Sequence, residues 1–127
     1  NLLPMASLAF LTLLPLGIMS KKHGWIGVDL DGTLARHDTT TQFPKIGEPI
    51  PKMLERVKQM LNEGYRVKIM TARVAYDHQG FQEQLIKEWC EHYIGVELEV
   101  TCQKDYQMIQ LWDDRAIRIE RNTGEII

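Results

Sequence analysis

Apolar and polar residues follow two different periods along this chain. The apolar run from Trp25 to Val28 predicts a short buried strand, and β-prone residues over 65–70 and 98–101 predict two more. Between the strands, apolar residues recur at helical spacing, which predicts helices over 51–64 and from about Gln79 to Tyr93. The order strand, helix, strand, helix, strand indicates a parallel α/β sheet.

The segments after the third strand give shorter patterns. Residues 106–110 allow one helical turn, and Leu111-Trp112 predicts a very short fourth strand. Alternation over 117–120, followed by the turn residues Asn122-Thr123-Gly124, predicts a short C-terminal β-hairpin with residues 125–127. No internal repeat or second domain is visible in the sequence.

Residues 1–20 differ from the rest of the chain. Leu2 to Met19 is a run of 18 uncharged residues that is followed by Lys21-Lys22. It could be a weak membrane anchor, since 18 residues is near the lower limit for spanning. It could also be a signal peptide, although no basic residue precedes it and no Ala-x-Ala site follows. We favour a third explanation, in which Met19 is the natural start and residues 21–127 form one domain.

Composition and charge exclude few function classes. The chain has 127 residues and a net charge of −2, with no basic stripe, so it offers no clear nucleic-acid surface. Cys90 and Cys102 stand in unrelated contexts and show neither metal-site nor disulfide spacing. These features favour a reducing, cytoplasmic location and make association with a membrane unexpected.

Polar residues follow each predicted strand at its carboxyl end. In chain order these are Asp29 and Asp31, then Thr71, then Lys104, then Asp113-Asp114. The carboxyl ends of parallel strands meet at one edge of a sheet, where ligands bind in folds of this kind. We therefore expect the four groups to converge on one site.

Asp29 and Asp31 are the most informative pair. Side chains alternate along a strand, so both carboxylates begin on the same side. Two like charges in proximity are costly unless a cation, a shared proton or a reaction uses them. A calcium loop does not fit, because its twelfth position would be Thr40 rather than Glu. A plain Asp-Gly turn would explain Asp31-Gly32 but not Asp29.

Together these groups fit the chemistry of phosphoryl transfer. A carboxylate can attack phosphorus to form an aspartyl-phosphate, and a second acid can protonate the leaving group and then activate water. Asp29 and Asp113 suit Mg²⁺, which takes one or two carboxylates. A lysine, or a Thr hydroxyl with nearby backbone N–H groups, can hold phosphate oxygens.

Each group taken alone has a plainer explanation. Thr71 would be an ordinary strand-end residue, Lys104 a solvated surface charge, and Asp113-Asp114 a cap for the following turn. Arg73 could bind a leaving group or pair with a surface acid. The functional prediction therefore depends on the convergence of the groups rather than on any one of them.

In combination these residues resemble the haloacid dehalogenase-like (HAD) hydrolase superfamily. Its four motifs are matched by Asp29-Leu30-Asp31-Gly32-Thr33-Leu34, by Thr71 after a hydrophobic strand, by Lys104, and by Asp113-Asp114. The resemblance covers the chain from about Trp25 to the C-terminus. It implies a three-layer, Rossmann-like parallel sheet flanked by helices and a phosphomonoester hydrolase activity that requires Mg²⁺.

The resemblance also implies a role for each matched residue. Asp29 would be the nucleophile and a metal ligand, and Asp31 would be the general acid/base, with its backbone carbonyl on the metal. Asp113 would be a further metal ligand, and Asp114 another ligand or an orienting group. Phosphate binding would fall to Thr71, Ala72 and Lys104.

The spacing of the motifs leaves no room for a folded cap domain. Only 36 residues separate Leu34 from Thr71, including an irregular polar loop over 35–47, and 32 separate Thr71 from Lys104. The resemblance is thus to small capless members, whose open site admits bulky substrates or is covered by a neighbouring subunit in a homo-oligomer. Nucleotide, sugar phosphate, polynucleotide end and phosphoprotein all remain as substrates. A receiver-like phospho-accepting domain and a catalytically silent Mg²⁺-binding module are the alternative functions.

Overall fold

The computed structural model describes residues 23–127. Four strands form one parallel sheet in the order β3-β2-β1-β4. They are β1 (Trp25–Val28), β2 (Arg66–Met70), β3 (Glu99–Thr101) and β4 (Met108–Trp112). The predicted parallel α/β sheet is therefore confirmed. The interpretation of residues 1–20 concerns residues outside the described range.

Two helices connect the first three strands. The first helix, α1 (Pro51–Asn62), begins with proline at a position where no backbone hydrogen bond is lost, and it buries Met53, Val57 and Met60. The second, α2 (Phe81–Tyr93), follows a 3₁₀ turn over His78–Gly80, so it starts two residues later than predicted. Both Asp77 carboxylate oxygens accept hydrogen bonds from backbone N–H groups in the first turn of α2. The distances are 2.8 Å from the Gln82 backbone nitrogen and 2.9 Å from the Glu83 backbone nitrogen.

Both helices pack on the same face of the sheet. Ile26 and Val28 of β1 and Val67 and Ile69 of β2 point into one core together with the buried residues of α1 and α2, among them Val57, Ile86 and Cys90. The crossovers β1–α1–β2 and β2–α2–β3 run in the same direction across the sheet, so right-handed connections place both helices on one side. Residues 23–127 thus form two layers, and the predicted third layer is not formed within this range.

A loop rather than a helix crosses the opposite face between β3 and β4. The indole N–H of Trp25 donates to Asp105 Oδ1 at 2.9 Å, and the Trp25 backbone N–H donates to the Gln107 carbonyl at 2.9 Å. The Lys68 ammonium lies 4.4 Å from the centre of the Trp25 ring. These contacts bury Trp25 completely and bring the loop to the amino end of β1.

The prediction for residues 106–110 is wrong. Met108, Ile109 and Gln110 belong to β4, which is five residues long rather than two. They extend because β1 needs a hydrogen-bonding partner on its second edge, and pairing with a buried strand outweighs a local helical tendency.

The predicted C-terminal hairpin is reduced to one antiparallel bridge between Ile119 and Ile126. The Glu120 N–H donates to the Glu125 carbonyl at 2.7 Å, and the Ile127 N–H donates to the Arg118 carbonyl at 3.0 Å.

Within residues 23–127, neither helix has the length and apolar character that crossing a bilayer would require.

Candidate active site

The loop after β1 is held tightly in place. The Asp29 N–H donates to the Trp112 carbonyl at 2.9 Å, which fixes the end of β1 beside the end of β4. The Leu30 carbonyl accepts hydrogen bonds from the backbone N–H groups of Thr33, Leu34 and Ala35. Leu30 and Leu34 are fully buried, so the apolar residues of this motif anchor the loop that presents its carboxylates.

Gly32 allows a close approach between this loop and Asp114. Its φ is +91°, which side-chain-bearing residues rarely adopt, and a Cβ atom there would lie 2.8 Å from Asp114 Oδ2. Any larger residue would therefore strain the loop and displace the Asp114 carboxylate. The glycine is required by the geometry of the site itself.

Thr33 links the two loops through its hydroxyl group. Its oxygen accepts from the Asp114 backbone N–H at 2.9 Å, and it lies 2.9 Å from Asp114 Oδ1 and 3.2 Å from Asp29 Oδ2. The hydroxyl has one proton, so it donates to one of these carboxylates at a time. Thr33 thereby sets the separation of Asp29 and Asp114.

Three carboxylates meet at this edge of the sheet. Asp29, Asp113 and Asp114 each offer an oxygen, and these oxygens all lie within 4.8 Å of one another. Burial, and next the negative charge of Asp113, raise the pKa of Asp29 from 3.8 to about 7. The hydrogen bond from Thr33 is the main reason that the pKa of Asp114 lies below its usual value.

The donor chemistry of this cluster fits a divalent cation. Carboxylate oxygens are the ligands that Mg²⁺ prefers. Within residues 23–127, no ion pair joins Asp29, Asp113 or Asp114 to a basic side chain. Asp113 also caps the turn that follows, since its Oδ1 accepts from the Arg115 N–H at 2.8 Å, and its role as a metal ligand stays a prediction.

The Asp31 carboxylate is not one of these three and pairs with Arg73. Arg73 Nε lies 2.7 Å from Asp31 Oδ2, and Arg73 Nη2 lies 3.0 Å from Asp31 Oδ1. The Arg73 side chain is only 4% exposed, and His37 Nδ1 lies 3.7 Å from Asp31 Oδ1. Arg73 was expected either to bind a leaving group or to pair with a surface acid. In the structure it forms an ion pair, and its partner is Asp31, a residue of the predicted site.

Arg73 has no hydrogen bond left to offer. A guanidinium group carries five N–H donors. Besides the two bonds to Asp31, Nη1 donates to the Pro44 carbonyl at 2.6 Å and to Gln82 Oε1 at 3.2 Å, and Nη2 donates to the Lys45 carbonyl at 3.1 Å. The Arg73 Cζ atom also lies 5.0 Å from the centre of the Phe43 ring. Arg73 therefore joins Asp31, the loop after β1 and the start of α2.

Thr71 and Ala72 lie at the end of β2, next to the end of β1. Val28, the last residue of β1, pairs with Ile69 of β2. Thr71 lies two residues beyond Ile69, directly after the end of β2. Thr71 is 4% exposed, and its hydroxyl oxygen accepts from the Arg73 N–H at 3.2 Å. Ala72 begins a short 3₁₀ turn, Ala72–Val74.

Lys104 is exposed and lies on the loop between β3 and β4. Its neighbour Asp105 contacts Trp25 at the amino end of β1, whereas the acid cluster lies at the carboxyl end. Lys104 forms none of the ion pairs or hydrogen bonds found among residues 23–127. Its assignment as the phosphate-binding lysine stays a prediction that no contact supports.

Sequence reasoning missed four residues that take part in the site. Thr33 is part of the first motif, but its contact with Asp29, four residues earlier, and with Asp114, 81 residues later, is not visible in the sequence. Gln82, which is buried, gave no signal because a glutamine in a helix is ordinary. The carbonyls of Pro44 and Lys45 act through the backbone, which residue types do not reveal.

Comparisons with known proteins add to the fold more than to the site. No protein-family model and no curated protein sequence matches the chain. The solved structure of a conserved protein from Bacteroides thetaiotaomicron is similar, with a TM-score of 0.54 and 26% identity over 73% of this chain and 77% of that one. This similarity supports the α/β parallel-sheet fold.

Proposed function

We propose that this protein is a Mg²⁺-dependent phosphomonoester hydrolase of the HAD-like type, in which Asp29 is the nucleophile. The single observation that supports this most is the meeting of Asp29, Asp113 and Asp114 at the carboxyl edge of a parallel sheet. The four sequence motifs that resemble the HAD superfamily add to it. Asp29 and Asp113, with the Asp31 backbone carbonyl, would hold the metal, which supplies positive charge beside the phosphoryl oxygens.

The proposed reaction has two steps that this chain's own residues perform. In the first, an Asp29 oxygen attacks phosphorus, the bond from phosphorus to the ester oxygen breaks, and protonated Asp31 gives its proton to that oxygen. In the second, Asp31 takes a proton from water, which attacks phosphorus and releases inorganic phosphate and the free Asp29 carboxylate. Thr71 and the Ala72 N–H would hold phosphoryl oxygens in both steps.

The pairing of Asp31 with Arg73 sets a condition on this mechanism. A carboxylate whose two oxygens both accept hydrogen bonds from a guanidinium group cannot reach an ester oxygen at the same time, so Asp31 must rotate away from Arg73 when substrate binds. The resting geometry is then an inactive rotamer of the acid. In a substrate complex we expect the Asp31 carboxylate to have left at least one of its two bonds to Arg73.

The same ion pair favours a second candidate function. If Asp31 stayed on Arg73, an aspartyl-phosphate on Asp29 would form from a phosphate donor but hydrolyse slowly. The protein would then be a phospho-accepting domain rather than a phosphatase. Turnover separates the two, because a phospho-accepting domain reacts once and stops.

The test measures phosphate release from a generic aryl phosphate by the full chain, with Mg²⁺ and with chelator. The wild type is compared with Asp29→Asn and with Glu55→Gln, an equivalent carboxylate-to-amide change on the exposed side of α1. Multiple turnovers that need Mg²⁺ and persist only in the wild type and Glu55→Gln are expected. Release that continues in Asp29→Asn removes Asp29 as nucleophile, and a single labelling event without turnover favours the phospho-accepting domain.

A further inference from the structure

A cavity of about 580 Å³ lies beside Arg73 and is not used by the steps above. Three aromatic side chains form much of its wall. Phe43 comes from the loop after β1, Tyr76 from the segment after β2, and Phe81 from the first turn of α2. These rings are 67%, 89% and 60% exposed, which is unusual for three large aromatic side chains around one cavity. The rest of the wall comes from Ala72, Arg73, Asp77 and Gln82.

We propose that this cavity binds the leaving group of the substrate, and that the leaving group carries an uncharged, flat heteroaromatic ring of the nucleobase kind. This inference rests on the proposed phosphatase function, because it identifies the substrate class of the same site.

The position of the cavity supports a leaving-group role. Ala72 forms part of its wall and, in the proposed function, its N–H binds the phosphoryl group. Asp31, the proposed general acid, rests beside the cavity before it leaves Arg73, since both of its oxygens accept hydrogen bonds from this residue of the cavity wall. A general acid must reach the ester oxygen that it protonates. The cavity, which begins at Ala72 and Arg73, therefore lies within reach of a group attached to the ester oxygen that Asp31 protonates after it leaves Arg73.

The charges in the wall indicate an uncharged ligand. All five N–H donors of Arg73 are engaged, and its charge is balanced by Asp31. Both Asp77 oxygens accept backbone N–H groups from α2. Among the described side chains of the wall, no positive charge is left without a partner, so a second phosphate or a carboxylate on the leaving group would be desolvated without a cation to pair with.

The groups that do remain available suit a heteroaromatic ring. The faces of the aromatic side chains provide surfaces on which a base can stack. Gln82 Oε1 accepts from Arg73, and the Gln82 side-chain N–H₂ forms no hydrogen bond with any group that the structure describes, so it can donate to a ring nitrogen or carbonyl. A purely aliphatic leaving group would use neither feature.

The test compares two substrates whose ester oxygens are chemically equivalent. Nucleoside 5′-monophosphates and ribose 5-phosphate share the 5′-phosphate on a ribose, and only the former carry a base. We expect kcat/KM for the best nucleotide to exceed that for ribose 5-phosphate by about tenfold or more, from stacking of one base. A Phe43→Leu, Phe81→Leu double variant keeps apolar volume but loses both rings, and it should reduce the ratio to near unity.

Tyr106→Ala is the matched control, because Tyr106 is a fully exposed aromatic side chain outside the cavity. It should leave the ratio of the two substrates unchanged. Hydrolysis of ribose 5-phosphate and of every nucleotide at similar kcat/KM overturns the inference while the phosphatase function stands. The inference is also overturned if the double variant keeps the wild-type ratio of the two kcat/KM values while a cooperative thermal unfolding transition shows that it is folded.

A binding measurement separates failure of this inference from failure of the proposed function. Free nucleosides, which lack phosphate, are titrated into the full chain and followed by NMR of the Gln82 side-chain amide. Saturable shifts that disappear in the double variant support ring binding in the cavity, even where no phosphate is released. Absence of saturable shifts with all the common nucleosides overturns it.

Discussion

Replacing Asp29 by Asn should make the metal-free protein more stable at pH 8 while it abolishes hydrolysis. Burial, followed by the charge of Asp113, raises the pKa of Asp29 to about 7 from 3.8. At a pH between these two pKa values, Asp29 is protonated in the folded state and ionised in the unfolded state. The contribution of Asp29 to stability is therefore fully present below pH 3.8 and is lost as the pH rises through about 7.

The size of the effect follows from the same pKa. A change from 3.8 to about 7 corresponds to about 4 kcal/mol, at roughly 1.4 kcal/mol for each pK unit. Asp29 is only partly buried, so solvent screening reduces this to about 2 kcal/mol. An amide at this position has no charge to desolvate, and its oxygen can still accept the Thr33 hydroxyl, which now lies 3.2 Å from Asp29 Oδ2.

The assay is urea unfolding in chelator at pH 5 and pH 8 for the wild type, Asp29→Asn and Glu55→Gln. We expect Asp29→Asn to exceed the wild type by about 2 kcal/mol at pH 8 and by clearly less at pH 5, where wild-type Asp29 is protonated in the folded state. Glu55→Gln should show no such difference between the two pH values. A variant that is no more stable than the wild type at pH 8, or equally stabilised at both, would refute the reasoning.

Three further predictions concern the rest of the site. Mg²⁺ at about a hundredfold over its dissociation constant should stabilise the wild type at pH 8 by about 3 kcal/mol in thermal unfolding, and Asp113→Asn should lose most of this gain; an undiminished gain would place the metal elsewhere. Arg73→Leu should cost about 3 kcal/mol in urea unfolding, because it leaves the partly buried Asp31 carboxylate unpaired, and Arg73→Lys should cost less; equal costs would remove the ion pair as the cause. Lys104→Ala should raise the inhibition constant of inorganic phosphate sharply if Lys104 is the third motif, and a mild effect would assign that motif to another residue.

Much of the fold could be predicted because its signals are local. The helical spacing of Met53, Val57 and Met60 and the apolar run that forms β1 each depend on neighbours within a few residues. The meeting of Asp29 with Asp113 also followed, since both come directly after strands that the chain order makes parallel. Topology alone brings such residues to one edge of a sheet.

The parts that could not be predicted depend on partners distant in sequence. The Asp31 carboxylate is held by Arg73, 42 residues later, and strand alternation alone gives no sign of this partner. The extent of β4 depends on its pairing with β1, more than 80 residues earlier. Lys104 is predicted from its place after the third strand and from the family resemblance, but the loop that carries it runs to the opposite end of β1.

Arg73 gives the site a means of linking substrate recognition to the position of its acid. Its five bonds connect Asp31 to the Pro44 and Lys45 carbonyls and to Gln82, so the acid, the loop after β1 and the start of α2 share one guanidinium group. A ligand in the neighbouring cavity would contact the loop and helix that hold this group. When Asp31 leaves, two N–H donors of the buried Arg73 side chain lose their acceptor, which costs free energy. This cost is small only if another acceptor replaces Asp31 or the guanidinium group shifts with the loop. If Asp31 is the general acid, as proposed, its release from Arg73 would in this way depend on what occupies the leaving-group side.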